Sequence, residues 1–486
     1  MSGLASSAAR GSAVTIASQG IKLVLMLAST IVLARLLSPS DYGIIAMVVA
    51  IVGVGEIFRD FGLSMSALRA KELSQQQQSN LLWINVGVGA ILTILFFFLA
   101  VPISLFYSRP ELVGIVHVLS MTFVVNGIST QFRVRINREL RFVALAVADI
   151  VPYALAFAAA LGLALYQGTY WALVAQQLVV SVAGLALAVI FARWMPGLPG
   201  RAEMGGLIKF GMSFAATQLV SYATRNVDSI AIGRVWGAAS LGMYDRAYQL
   251  LVMPLTQINT PLSRVAIPVL SRISDEQEKF VRYLRQAQLI ALYVTASLFT
   301  VVAAIGEQIV VWVLGAQWQE AGQILQVLAI GGIFRAVVQI SYWIYMAKGM
   351  AKQQFWFYLV AQPAVVVVML AGLPWGAMGV AIGHSVGYGL FWIASLLWVG
   401  RQAKINVRPF FGDALRAIGT FGAPAAILAF TASMVLESAG PMARVFGGIG
   451  AAAIWYLVAW VVFPRVRSDI RVLTQFMRLA LGRRRT

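Results

Sequence analysis

The stretch LARLLSPSDYGI, Leu33–Ile44, separates two apolar runs that are each long enough to cross a bilayer. A related stretch, IGRVWGAASLGM, occurs 199 residues later at Ile232–Met243, again between two long apolar runs. The offset pairs polar and small residues of the two copies, namely Arg35 with Arg234, Gly43 with Gly242, and Gln19 with Gln218. Because six apolar runs fall within one offset, the sequence predicts two repeated halves of six helices each.

The composition places most of the chain in a membrane. Of the 486 residues, 60% are hydrophobic and 11% are charged, and the mean hydropathy is +0.82. A soluble protein of this composition would lack the polar side chains that cover a surface. A membrane helix needs about 20 apolar residues, so the sequence predicts an all-α polytopic membrane protein with about 14 transmembrane helices. These are predicted at 12–36, 42–66, 79–106, 111–132, 143–166, 169–195, 204–235, 238–271, 276–304, 318–346, 355–373, 376–400, 410–436 and 442–463.

Basic residues alternate between the two ends of the predicted helices. The connections after every second helix, together with the C-terminal tail, hold 26 of the 37 Lys and Arg residues. The connections on the opposite side hold Arg35, Arg109, Arg234 and Arg444. Because cytoplasmic loops retain Lys and Arg, this alternation predicts a cytoplasmic-membrane protein with both termini in the cytoplasm.

The predicted domains follow from the repeat. Residues 1–196 form the first six-helix bundle and residues 204–400 form the second, with a Gly- and Pro-rich linker near Pro196–Gly206. Two additional transmembrane helices follow over 410–463, and a basic cytoplasmic tail follows over 464–486. No connection is long enough to hold a separate catalytic domain.

Several function classes are disfavoured by what the sequence lacks. Without cysteine there is no disulfide, thiolate nucleophile or Cys-ligated metal. The 18 acidic residues are scattered, which disfavours a membrane glycosyltransferase or polymerase, and no GxxxxGK[ST] motif indicates ATP hydrolysis. The net charge of +19 lies in short segments between apolar runs, which indicates contact with anionic membrane lipids and no nucleic-acid partner. The sequence predicts a carrier or channel rather than an enzyme, with no cofactor.

Six stretches resemble the multidrug/oligosaccharidyl-lipid/polysaccharide exporter superfamily, and more narrowly its Wzx-type flippases and its colanic- and teichuronic-acid-type polysaccharide exporters. Tyr222–Leu250, YATRNVDSIAIGRVWGAASLGMYDRAYQL, is the most specific of them. The resemblance extends from the first helix to about residue 350, and the last two helices are placed by hydropathy alone. The other five stretches are Arg35–Gly43, Phe58–Leu68, Ile136–Phe142, Pro261–Glu276 and Leu314–Trp318.

The resemblance implies two helix bundles that form a V around a central cavity. It also implies alternating access and a cargo of polyprenyl-pyrophosphate-linked oligosaccharide, which would be moved across the cytoplasmic membrane for surface polysaccharide synthesis. Implied partners are the lipid-linked oligosaccharide, membrane lipids, a polysaccharide polymerase and glycosyltransferases, and the expected state is a monomer. Proton and sodium are the candidate coupling ions. The alternative is an ion-coupled drug or cation exporter of the same superfamily.

Basic residues within the apolar runs are the first candidates for cargo binding, because charge inside a membrane is costly and marks function. Lys22 and Gln19 fall on one face of the first helix, and Gln218, Ser221, Tyr222 and Arg225 fall on one face of the seventh. Arginine suits pyrophosphate because its planar fork donates two bonds to phosphate oxygens. The sequence predicts cavity positions for Lys22, Arg59, Arg225, Arg264, Arg335, Gln19, Gln218 and Tyr222.

Each candidate also has a structural interpretation, which the sequence leaves open. Arg225 and Asp228 are spaced to neutralise each other, and Arg264 and Arg335 are placed to extend towards the cytoplasm. Asp41 suits a helix cap better than a gate. The candidates for coupling or gating are Asp41, Glu56, Asp60, Asp149, Asp228 and His384, of which Glu56 and Asp60 can form a structural cluster with Arg59, and Asp149 and His384 can be hydrogen-bonded buried groups.

Overall fold

A computed structural model describes residues 2–70 and 72–469 of the chain. Every regular element in that part is helical, and no strand occurs among these residues. The predicted all-α class is therefore confirmed. Lys71 and residues 470–486, which include most of the predicted basic tail, lie outside the described residues.

The chain divides into two compact units between Gly242 and Met243. The first unit contains seven helices and the start of an eighth, which continues into the second unit. They are α1 (Ser2–Leu36), α2 (Pro39–Asp60), α3 (Leu63–Arg69), α4 (Gln75–Tyr107), α5 (Leu112–Arg138), α6 (Phe142–Gln167), α7 (Trp171–Ala192) and α8 (Gly205–Arg272).

The second unit contains the end of α8 and the remaining helices. Its core packs Phe280, Trp343, Tyr345 and Phe410 together. A π-helical turn, Ile418–Gly422, joins two of its helices within the segment that was predicted as one helix over 410–436. The helices are α9 (Gln277–Leu314), α10 (Gln319–Ala347), α11 (Ala351–Ala371), α12 (Gly376–Ala403), α13 (Arg408–Ala417), α14 (Ala423–Val435) and α15 (Pro441–Val462).

The helices have the length and hydropathy of membrane spans, which makes the chain a multi-pass membrane protein. Eleven helical stretches of the described residues qualify, and the longest, Ala351–Ala403, contains both α11 and α12. Helix α8 is not among them, because polar and charged residues interrupt its apolar positions. The count of 14 spans and the V arrangement stay predictions.

Backbone turns at positive φ angles set two of the helix boundaries. The predicted helix over 42–66 ends early, because Phe61 and Gly62 both take positive φ angles, 49° and 64°, before α3 begins. The predicted boundary between helices 204–235 and 238–271 coincides with a kink in α8 at Gly237. This residue is not helical, with φ 80° and ψ −174°, a conformation that favours glycine.

The segment predicted as a linker between bundles is bonded to the first unit. Residues 193–204 are not helical, and they lie along the start of α4. The side chain of Asn80 donates to the carbonyl of Gly200 at 2.7 Å and accepts from its N–H at 3.0 Å, and Trp83 Nε1 donates to the carbonyl of Gly197 at 2.9 Å. These bonds fix the linker backbone on α4. The predicted domain limits themselves stay a prediction.

The two copies of the sequence repeat contact each other in a reciprocal way. A methyl group at Gly43 would overlap the backbone carbonyl of Ala238, and one at Gly242 would overlap that of Pro39. Subtracting the repeat offset of 199 converts Gly242 to position 43 and Ala238 to position 39. Each contact is thus the image of the other, as expected for segments related by a pseudo-two-fold axis.

Candidate functional site

A cavity of about 580 Å³ in the first unit, named here the first cavity, lies between the middle of α1, the end of α2, α3, the end of α5 and the start of α6. The predicted residues Gln19, Arg59, Asp60 and Asp149 all line it. Its other polar lining residues are Thr15, Ser18, Ser64, Asn126, Ser129, Thr130, Arg133 and Asn137.

Arg59 is held by an ion pair at the edge of the first cavity. Its Nε lies 2.6 Å from Glu56 Oε2, and its Nη1 donates to Thr130 Oγ1 at 2.8 Å. The amide of Asn126 donates to the other oxygen of Glu56 at 2.8 Å. Of the structural cluster considered from the sequence, Glu56 and Arg59 are paired, and Asn126 and Thr130 of α5 join them.

The remaining carboxylates of the first cavity also have donors. Arg133 on α5 is ion-paired with Asp149 on α6. Asp60 Oδ2 accepts a hydrogen bond from Ser64 Oγ at 2.7 Å. Both arginines that line this cavity are thus already neutralised by a carboxylate.

Arg133 was not a predicted site residue. The sequence placed it in a cytoplasmic connection because the fourth predicted helix ended at residue 132, whereas α5 continues to Arg138. The signal that could have found it is the spacing of Asn126, Thr130, Arg133 and Asn137, which puts four polar side chains on one face of a helix.

A cavity of about 480 Å³ in the second unit, named here the second cavity, lies between the end of α8 and the second half of α10. Two predicted residues, Arg264 and Arg335, line it. The described residues around it include no carboxylate. The other lining residues are Val252, Leu255, Thr256, Asn259, Thr260, Ser263, Ile267, Gln339 and Tyr342.

Arg335 is held by tyrosines instead of an acid. Its Nη1 lies 3.1 Å from the hydroxyl of Tyr248, and its guanidinium carbon lies 5.2 Å from the ring centre of Tyr388. No ion pair of the described residues includes Arg335 or Arg264. The second cavity therefore presents two positive charges that no carboxylate neutralises.

His384 lies behind this arginine. It is 1% exposed, and its ring centre is 4.6 Å from that of Tyr388 and 5.9 Å from that of Tyr248. Neither ring nitrogen has a hydrogen-bond partner among the described residues. The histidine thus belongs to the aromatic cluster that positions Arg335, and its predicted role in coupling stays a prediction.

Several predicted residues do not line either cavity. Lys22 is half-buried, with Nζ 4.3 Å from the ring centre of Tyr153. The hydroxyl of Tyr222 donates to the backbone carbonyl of Val49 at 2.9 Å. Gln218 and Arg225 on α8 are exposed, Asp228 is buried, and the side chain of Ser221 lies outside the described part.

Asp41 has the capping role that the sequence favoured. It is the third residue of α2, and its Oδ2 accepts from the backbone N–H of Ser38 at 2.9 Å while Ser38 caps the helix in return. Its Oδ1 accepts from the N–H of Tyr170 at 3.0 Å, which ties the α6–α7 connection to the start of α2. All of these contacts are structural.

A multi-pass helical fold with polar cavities between its helices is typical of membrane transporters. A model of the family described as "Polysaccharide biosynthesis protein" matches residues 32–323, which is more than half of the chain. The chain belongs to this family.

Two relatives and one solved structure agree with the resemblance predicted from the sequence, which is confirmed. Lipopolysaccharide biosynthesis protein WzxC of Escherichia coli (strain K12) is 25% identical over 389 residues, 79% of this chain and 78% of the relative. Teichuronic acid biosynthesis protein TuaB of Bacillus subtilis (strain 168) is 27% identical over 430 residues, 85% of this chain and 87% of the relative. The structure titled "Lipid II flippase MurJ, inward closed conformation" superposes with a TM-score of 0.71 at 14% identity, covering 92% of this chain and 98% of that one, and shows the shared fold.

Proposed function

We propose that the protein is a flippase that moves a polyprenyl-pyrophosphate-linked oligosaccharide from the cytoplasmic to the external leaflet for surface polysaccharide synthesis. It acts as a secondary transporter by alternating access, not as an enzyme. The observation that carries the proposal is the second cavity, where no carboxylate of the described part of the chain pairs with Arg264 or Arg335. The names of the relatives, which refer to lipopolysaccharide and teichuronic acid biosynthesis, support the class of cargo.

The chemistry of the second cavity suits pyrophosphate. Arginine stays charged in a low-dielectric site and offers two parallel donors to phosphate oxygens. Tyr248 and Tyr388 hold the guanidinium of Arg335 without neutralising it, so its charge remains for a ligand. An empty cationic cavity in a membrane is costly, and an anionic headgroup removes that cost.

The same charge argues against the drug or cation exporter. A site for organic cations needs carboxylates and aromatic faces, and the described lining of the second cavity has no carboxylate. The surplus of unpaired basic groups therefore favours an anionic cargo.

The orientation, partners and coupling of the protein are part of the proposal. The alternation of Lys and Arg supports a cytoplasmic-membrane protein with both termini in the cytoplasm. In this orientation both the α2–α4 and the α5–α6 connections are cytoplasmic, so the first cavity lies at the cytoplasmic end of its unit. We retain three sequence predictions as part of this proposal. They are a monomeric state, a partner polymerase and glycosyltransferases, and coupling to protons or sodium. No group of three or more metal-ligating side chains occurs in the described residues.

Deleting the gene in its own strain tests the proposed function. Surface polysaccharide should disappear while lipid-linked oligosaccharide accumulates in the cytoplasmic leaflet, where an added membrane-impermeant glycosidase cannot reach it. Normal polysaccharide together with increased susceptibility to cationic drugs would instead establish the exporter.

A further inference from the structure

We propose that the first cavity binds uncharged sugar rings of the cargo and does not bind its pyrophosphate. The proposal rests on the proposed function, because it assigns one part of the flipped molecule to one cavity. Because Arg59 and Arg133 line this cavity, the presence of basic residues alone would assign it to phosphate binding.

The charges around the first cavity do not attract a phosphate. Arg59 and Arg133 face three carboxylates, Glu56, Asp60 and Asp149, and both arginines are already ion-paired. Even when the nearby Lys22 is counted, positive charge is not in excess. A pyrophosphate entering here would have to displace a carboxylate from its arginine and would be repelled by the others.

The polar groups that remain free in the first cavity are uncharged. The side chains of Gln19, Ser129 and Asn137 line it and have no hydrogen-bond partner among the described residues. Ser129 is 6% exposed as a residue, and its side chain lines the cavity. A ligand that bonds these three side chains would form hydrogen bonds that the described residues do not supply.

These groups match the hydroxyls of a sugar. A sugar hydroxyl both donates and accepts, and a carboxamide offers a donor and an acceptor side by side. The ion pair of Arg133 and Asp149 adds a donor and an acceptor to the same lining. Apolar lining from Phe142 and Leu145 can cover the C–H face of a ring, and about 580 Å³ is within the usual range for a small-molecule site.

Binding measurements on the purified full-length protein in lipid nanodiscs test this assignment. The two probes are inorganic pyrophosphate and the free oligosaccharide that mild acid releases from the strain's lipid-linked pool. The test variant combines Gln19→Ala with Asn137→Ala, two exposed side chains whose removal breaks no bond of the described structure. Gln167→Ala is the matched control, because it removes an exposed amide from α6 outside the cavity.

The expected result is a loss of about tenfold or more in oligosaccharide affinity in the double variant, with pyrophosphate affinity unchanged. Gln167→Ala should bind both probes as the wild type does. Arg335→Gln should show the opposite pattern, with weaker pyrophosphate binding and unchanged oligosaccharide binding.

Three outcomes would overturn the inference. If the oligosaccharide binds the double variant as tightly as the wild type, the glycan site lies elsewhere and the proposed function survives. If the double variant loses pyrophosphate affinity instead, the first cavity binds phosphate. If the wild type binds neither probe, the proposed function fails together with this assignment.

Discussion

The two cavities have similar sizes and both contain two arginines, but their charges are arranged in opposite ways. In the first cavity Arg59 and Arg133 each face a carboxylate from the same unit. In the second cavity Arg264 is exposed and Arg335 is held by tyrosine hydroxyl and ring faces. An arginine of this molecule can therefore either fix helices through an ion pair or keep its charge for a ligand. The groups that contact each arginine determine which of the two it does.

The difference shows why intramembrane charge alone is an incomplete guide to function. An ion pair satisfies its own members and mainly fixes the positions of helices, and removing one partner leaves an uncompensated charge. A cation supported only by neutral groups keeps its charge for a ligand. Substitutions of the arginines and of their ion-pair partners should therefore affect different properties in the two cavities, mainly stability in the first and transport in the second.

The largest effect is expected from Arg264→Gln combined with Arg335→Gln. Hydrogen bonds to a charged group contribute about 1.5–3 kcal/mol each, so losing both guanidinium groups should reduce transport by about a hundredfold or more. Surface polysaccharide per inserted molecule measures the effect. Arg272→Gln, an exposed arginine of the same helix outside the cavity, is the control. Normal export by the double variant would remove the distinction between the cavities.

A large effect on stability is expected from Glu56→Gln. The change leaves Arg59, whose side chain is 11% exposed, without its ion pair and should destabilise the protein by about 1–3 kcal/mol. Glu56→Gln combined with Arg59→Gln should recover part of that loss, as a double-mutant cycle on thermal unfolding in detergent would show. Additive effects of the two single changes would mean that the pair is not coupled.

A moderate effect on stability is expected from Asp41→Ala. The change removes the capping box of α2 and the bond to the N–H of Tyr170, which should cost about 1–2 kcal/mol. Export per folded molecule should stay within about twofold, because these contacts are structural. The control is Glu72→Ala, an exposed carboxylate of another connection. Lost export with an unchanged melting temperature would establish the gating interpretation.

The smallest effect is expected from Lys22→Met. The ammonium lies over the ring of Tyr153 and outside the first cavity lining, so its loss should cost about 0.5–1 kcal/mol of stability. Export should fall by much less than in the arginine double variant, and Lys22→Arg should retain the contact. An export defect as severe as that of the double variant would instead place Lys22 at the cargo, as the sequence predicts.

The sequence determined the helical class and the family, because hydropathy, basic alternation and the Tyr222–Leu250 stretch are local properties. It also named Arg264 and Arg335 as separate cavity candidates on the strength of membrane charge, and packing brings them to one cavity. It predicted the neighbourhood of Glu56 and Arg59, but not the contact of Thr130 with Arg59 or the pair of Asp149 with Arg133, because these partners come from other helices and meet only through packing. The break at Phe61–Gly62 was missed because the apolar run continues through it.

The reciprocal contact of Gly43 and Gly242 has a consequence for the origin of the chain. The 199-residue offset converts each of the two contacts into the other, so both use the same surface. A half-length ancestor could therefore have formed this contact with a second copy of itself. Gene duplication and fusion would then have preserved an existing homodimer interface instead of creating one. Since a side chain at either glycine would meet the opposite backbone, such an ancestor would have needed glycine at this one position to form the contact.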